Sequence, residues 1–161
     1  MILTGVLTRT EAVQSIDMSV IFLLAGIIPL GIAMQNTGAA MWLAEQAVSV
    51  VKGLGPVAIV GVIYLLTSIL TEIMSNNASA ILITPIVIAM ADSLGVSPRP
   101  FLFAVAYAAS ASFLTPIGYH VNTMMYGPGG YRFFDYTRVG LPLNLAFLVI
   151  ATLLIPRLWP F

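Results

Sequence analysis

Hydrophobic positions in this chain fall in blocks rather than in one amphipathic stripe. Residues 18–34, 56–68, 80–91 and 139–155 are almost wholly apolar, and short polar knots rich in Gly, Pro, Asn, Ser and Thr separate them. A helix that is apolar all round has no face for water. Blocks of about 17 residues approach the ~20 that cross a ~30 Å hydrocarbon layer at ~1.5 Å per residue. Thr8 and Glu11 have capping-box spacing, so a short interfacial helix is expected over 9–16. Residues 18–34 then predict a first span, kinked at Pro29 and Gly31 and ended by the turn Gln35-Asn36-Thr37-Gly38. Residues 39–51 carry Trp42, Glu45 and Gln46 among apolar neighbours and suit a helix at the headgroup level. Gly53-Leu54-Gly55-Pro56 is a turn with proline placed to start the next helix.

The apolar run from residue 56 meets the knot Thr71-Glu72-Ile73-Met74-Ser75-Asn76-Asn77. At membrane depth, non-helical backbone and polar side chains are tolerated only where they are buried in protein or line a cavity. The knot is therefore the first candidate site. The arm after it, residues 78–91, offers about 14 residues, or ~21 Å, which is short of a crossing. Two arms meeting at a polar tip predict a re-entrant helical hairpin over about 56–91. Asp92 to Pro98 form a loop in which Ser97 caps the following helix and Pro98 occupies its first position. That helix, to about Phe113, gives way at Thr115-Pro116-Ile117-Gly118-Tyr119-His120-Val121-Asn122, which predicts a broken helix over about 98–126. Residues 108–112, small throughout, read as a close-packing helix face. After the turn Gly127-Pro128-Gly129-Gly130, the aromatic and charged stretch 131–138 belongs at the membrane surface, and a last span runs over about 139–156.

Composition narrows the class. Of 161 residues, 60% are hydrophobic and 7% charged, against roughly 25% charged in soluble proteins, and the mean hydropathy is +1.03. These values predict an all-α integral membrane protein, a single transmembrane unit over 1–161 in the bilayer of the cell (inner) membrane. Six basic and six acidic side chains are scattered singly, which supports no nucleic-acid partner. No cysteine and a single histidine, His120, exclude thiolate and histidine-rich metal sites, and no organic cofactor is implied. The N-terminus is apolar from Met1 and lacks a basic leader, so it reads as the end of a helix. The chain is expected to be the C-terminal portion of a longer protein, or one half of a split one.

The two interrupted regions suggest transport, because secondary transporters build midplane sites from broken helices. Ser75, Asn76 and Asn77 precede the second arm, where the N–H groups and positive dipole end of a helix attract an anion. Thr71 and the carbonyls closing the first arm suit a small cation. Between Thr71 and Asn122 the only basic side chain is Arg99. Burying an unpaired ion costs several kcal/mol, whereas a helix dipole contributes ~0.3–1 kcal/mol and at most ~2. A divalent anion here needs accompanying cations, which favours symport. The competing readings are an extramembrane loop at Ser75–Asn77 and a simple Pro/Gly kink at 115–122. Glu72 reads as a carboxylate at the wet end of its arm rather than a proton relay, and His120 as a neutral histidine near substrate. An enzyme is not expected. An intramembrane hydrolase needs a nucleophile paired with a base, and nothing marks a Ser–His pair. A non-transporting membrane assembly subunit is favoured only if the chain is complete.

The order of motifs also carries a resemblance. Thr71-Glu72-Ile73-Met74-Ser75-Asn76-Asn77-Ala78-Ser79-Ala80 with Pro85, then Ala108 to Pro116, Asn122 and Tyr126-Gly127-Pro128-Gly129-Gly130-Tyr131, resemble the C-terminal half of the divalent anion/sodium symporters, which carry sulfate or dicarboxylates. In that family each of two inverted repeats supplies a hairpin tipped by Ser-Asn-Thr and an unwound helix. The resemblance implies half of an inverted-repeat secondary transporter, with sodium as coupling ion and a small anion as substrate. Its partners would be the N-terminal repeat or a second subunit, with a homodimer when intact. It implies one sodium site formed by Thr71, the Met74 carbonyl, Asn76 and the Gly118 carbonyl, and a substrate side formed by Ser75, Asn76, Asn77, Tyr119 and His120. Asn77 stands where the family has threonine, and Tyr119-His120 where it often has Thr-Pro. Both changes add bulk and donors, which favours a compact anion such as sulfate over a C4 dicarboxylate.

Overall fold

A computed structural model describes residues 8–14, isolated positions between 18 and 53, and residues 55–161 continuously. The span expected over 18–34, with its kink at Pro29 and Gly31, and the surface helix expected over 39–51 lie outside the continuously described residues. The described residues form α1 (Arg9–Gln14), α2 (Pro56–Thr71), α3 (Asn76–Leu94), α4 (Arg99–Ala109), α5 (His120–Tyr126) and α6 (Phe133–Leu158), with no strand among them.

Local chemistry accounts for the helix ends. Pro56 opens α2, where its missing N–H is not needed. At the other end the N–H groups of Ile73 and Met74 both turn back to the Leu70 carbonyl at 3.0 Å. Ser75 then caps α3, its Oγ accepting from the Ala78 N–H at 3.3 Å. Helix α3 stops at Gly95, whose φ of 67° is left-handed. There the N–H groups of Gly95 and Val96 close onto the Asp92 and Ala91 carbonyls at 3.1 Å each, a Schellman closure. Helix α4 starts at Arg99, so Pro98 rather than Ser97 takes the cap position, without a side-chain cap bond, and Ser97 Oγ accepts from the Arg99 N–H at 3.4 Å.

Helices α2, α3, α4 and α6 share one apolar core. Ile59, Val60 and Ile63 of α2 meet Ile83, Val87 and Met90 of α3, Phe101, Ala104 and Val105 of α4, and Ile155 of α6. The chain beyond α6 folds back over this core, with Trp159 stacked on Phe103 at 3.8 Å between ring centroids and Phe161 tilted on Phe101 at 5.5 Å. Gly140 lets α6 lie directly on the non-helical chain after α4, because a Cβ there would run into the Phe113 carbonyl. By length and composition α3 and α6 can cross a membrane. The outer side chains of α6, among them Val139, Leu145, Val149 and Leu153, are half exposed or more, which fits an apolar environment rather than water.

Four further expectations change. Helix α3 has 19 residues, not about 14, because it starts at Asn76 directly after the Ser75 cap and Asp92 to Leu94 continue it until a residue able to adopt positive φ appears. At ~1.5 Å per residue that is ~28 Å, so its length no longer argues against a crossing. Helix α4 stops at Ala109 rather than near Phe113, so residues 108–112 are not one helix face. Helix α6 begins at Phe133 and takes in the stretch expected only at the surface. There the Asp135 carboxylate reaches back to the Arg132 N–H at 2.7 Å and lies at the positive end of the helix dipole. Glu72, expected at a wet helix end, is only 9% exposed.

Candidate functional site: a helix junction lined with oxygen

Residues 110–119 lie between α4 and α5 without helical structure. Pro116 starts the account, because it has no N–H for the carbonyl four residues earlier and disfavours helical backbone at Thr115. That orphan acceptor is Ser112. Its carbonyl is taken instead by the Asn122 amide at 2.9 Å, which also reaches the Thr115 carbonyl at 3.3 Å. Thr123 Oγ1 donates to the Pro116 carbonyl at 2.7 Å and Thr137 Oγ1 to the Leu114 carbonyl at 3.0 Å. Buried backbone groups must find partners, and here side chains from α5 and α6 supply them.

The donors of the same stretch go to the turn between α2 and α3. Glu72 Oε1 accepts from the Leu114 N–H at 2.8 Å. Glu72 Oε2 accepts from the Thr115 N–H and Thr115 Oγ1, each at 2.9 Å. Thr115 Oγ1 in turn accepts from the Gly118 N–H at 3.1 Å. Gly118 is held so closely that a Cβ would collide with Ser112 Oγ and come within 2.9 Å of Glu72 Oε2.

On the other side of Gly118 lies a cluster of oxygens. Thr71, fully buried at the end of α2, donates its hydroxyl to the Ala109 carbonyl at 2.7 Å. One end of the Asn76 side-chain amide lies 2.8 Å from Thr71 Oγ1, 3.1 Å from the Ala109 carbonyl oxygen and 3.3 Å from the Gly118 carbonyl oxygen. With nitrogen at that end, the amide donates to these oxygens. With oxygen there, four oxygens converge and repel unless a cation lies among them. Ala109 and Thr71 are the last residues of α4 and α2, so two helix C-termini, the negative ends of their dipoles, point into the cluster.

Of the four residues expected around sodium, Thr71, Asn76 and Gly118 thus come together. Met74 closes the turn, its N–H reaching the Leu70 carbonyl at 3.0 Å, and the Ala109 carbonyl lies beside the Asn76 amide at 3.1 Å. On the expected substrate side, Ser75 and Asn77 flank Asn76 and are exposed, as are Tyr119 and His120, which follow Gly118 directly. The Tyr119 and His120 rings meet edge to face at 6.5 Å. No group of three or more His, Cys, Asp or Glu side chains converges among the described residues. Sequence reasoning named Glu72 and Asn122 without the partners they have here, and did not single out the Ala109 carbonyl. Pro116 was the available signal for Asn122, since a proline announces an orphan carbonyl four residues back.

The described residues form an all-helical unit with apolar outer faces and a buried polar junction, the build of a membrane protein with an internal polar site. Sequence comparison identifies the family: the chain belongs to the citrate transporter family, CitMHS, which it matches over residues 1–161. It is 49% identical to an uncharacterised transporter of Synechocystis over 98% of its own length. It is 30% identical to sodium/sulfate cotransporter 1 of Chlamydomonas reinhardtii over 94%, and 31% identical to a sodium-dependent dicarboxylate transporter of Staphylococcus saprophyticus over 93%. The chain spans about a quarter of the length of the curated relatives it matches. It is an integral membrane protein.

Proposed function

We propose that this chain forms one half-site of a secondary transporter that couples sodium to uptake of a small divalent anion. The observation that carries the reading is that Thr71 Oγ1 and the Ala109 and Gly118 carbonyl oxygens all lie 2.8–3.3 Å from one end of the Asn76 side-chain amide, with Thr71 Oγ1 2.7 Å from the Ala109 carbonyl. Two helix C-termini and uncharged oxygens suit a monovalent cation, and transporters use unwound carbonyls for this purpose. The start of α3, with Ser75 and Asn77 exposed beside Asn76, offers donors and a positive dipole end to the anion. Asn76 belongs to both sets, so ion and anion meet at one residue.

In this reading α2 and α3 form a re-entrant hairpin, supported not by the length of α3 but by the burial of Thr71 and Glu72 and the bonds from Glu72 to the unwound chain; α4 and α5 are two parts of one broken membrane helix, and α6 crosses the bilayer. A second, inverted repeat from the rest of the protein or from another subunit completes the path, and the intact protein is a homodimer in the cell membrane. The substrate is sulfate or a dicarboxylate. The bulk of Asn77, Tyr119 and His120 favours the compact tetrahedral anion.

The test is uptake of labelled sulfate and succinate into liposomes containing the intact transporter, with an inward sodium gradient. Asn76→Ala should raise the half-saturating concentrations of sodium and of substrate together, each by roughly tenfold, the effect of losing a hydrogen bond to a charged group. Thr71→Val should raise the sodium value more than the substrate value. Equal loss in both for Thr71→Val, or uptake that is the same in potassium, contradicts the assignment.

A further inference from the structure

We infer that Glu72 is a positioning residue for the cation site, acting through the unwound chain rather than by touching the ion. The inference rests on the sodium reading above. Glu72 sits in the turn one residue after Thr71, yet both its oxygens reach across to residues more than forty positions later. Three donors converge on this one carboxylate: two main-chain N–H groups that a continuing helix would have paired, and the Thr115 hydroxyl. A short relay links it to the oxygen cluster. Glu72 Oε2 fixes Thr115 Oγ1, which receives the Gly118 N–H at 3.1 Å, and the opposite face of Gly118 turns its carbonyl to Asn76 at 3.3 Å. Among the described residues, no other side chain accepts from the Leu114 or Thr115 N–H. The glycine is also required sterically, since a Cβ would meet Ser112 Oγ and Glu72.

The consequence is a division of labour within the turn. Thr71 and Asn76 offer oxygen directly, whereas Glu72 sets where the Gly118 carbonyl stands. An amide in place of the carboxylate turns an NH₂ group toward N–H donors and leaves at least one of them unpaired. The unwound chain then loses its anchor, and sodium binding weakens at a site whose own ligands are intact.

The test compares wild type with Glu72→Gln and Thr115→Val in the intact transporter, using sodium titrations of sulfate uptake and hydrogen exchange at the amides of residues 114 and 115. Glu72→Gln should raise the half-saturating sodium concentration ~10-fold or more, the scale of an unpaired buried donor. The maximal rate at saturating sodium should stay within about twofold, and the two amides should lose protection with or without sodium. Thr115→Val, which keeps the carboxylate and its two N–H donors, should shift sodium in the same direction by a few-fold while leaving the residue 114 amide protected. Unchanged sodium dependence in Glu72→Gln, or unchanged protection at residues 114 and 115, overturns the proposal and leaves the sodium reading standing. A wild type that ignores sodium overturns both. Should Glu72→Gln fail to fold, Thr115→Val decides, and a sodium half-saturation equal to wild type refutes the inference. A loss confined to maximal rate, with sodium affinity intact, also counts against it.

Discussion

Gly118 is the most constrained residue of the junction. Its amide goes to Thr115, its carbonyl faces Asn76, and a Cβ has no room between Ser112 and Glu72. Gly118→Ala should therefore displace the carbonyl and abolish sodium-dependent uptake, whereas Gly127→Ala, where a Cβ meets nothing within 4 Å, should transport as wild type. Equal activity of the two variants in the liposome assay would contradict the role given to Gly118. Thr71 and Asn76 stood out in the sequence because polar groups between apolar runs have few uses at membrane depth, whereas Gly118 was named as a ligand only through the family resemblance. The Ala109 carbonyl did not stand out, since any residue carries one and only the helix end places it. Glu72 misled for a similar reason. A carboxylate beside a helix terminus ordinarily seeks water, and its actual partners lie over forty residues away.

Among the elements, the stretch between α4 and α5 is the one whose form depends on others. Six of its backbone N–H and C=O groups are paired by side chains of the α2–α3 turn, α5 and α6. Asn122→Ala should leave the Ser112 and Thr115 carbonyls without their donor, at about 1–3 kcal/mol for a buried group left unpaired. The expected outcome is a lower melting temperature of the purified transporter in detergent. A melting temperature equal to wild type would mean that the Asn122 bonds contribute nothing to the folded junction. Gly140→Leu should act from the other side by forcing α6 off the Phe113 carbonyl, with destabilisation of about 1–3 kcal/mol, typical of overpacking. The order of helices and their breaks could be read from proline, glycine and apolar runs. Their lengths were less legible: the sequence pattern does not reveal that Gly95 rather than Asp92 ends α3, or that tertiary hydrogen bonds end α4 four residues early.

For the whole molecule, the chain aligns with 25% of the Synechocystis transporter's length, 17% of the sodium/sulfate cotransporter's and 29% of the sodium-dependent dicarboxylate transporter's, and its polar junction lies where α2, α3, α4 and the unwound chain converge. The central claim is that this junction binds sodium and that the anion binds with it. A ligand that binds only the folded state stabilises it by about 2.7 kcal/mol at a hundredfold excess over its Kd. The most direct measurement is the thermal stability of the intact transporter with sulfate, phosphate, succinate or citrate, each in sodium and in potassium. The account predicts that sodium alone raises the melting temperature, that sulfate raises it further only when sodium is present, and that Asn76→Ala removes both increments. Stabilisation by an anion to the same extent in potassium, or no response to sodium at all, would contradict it.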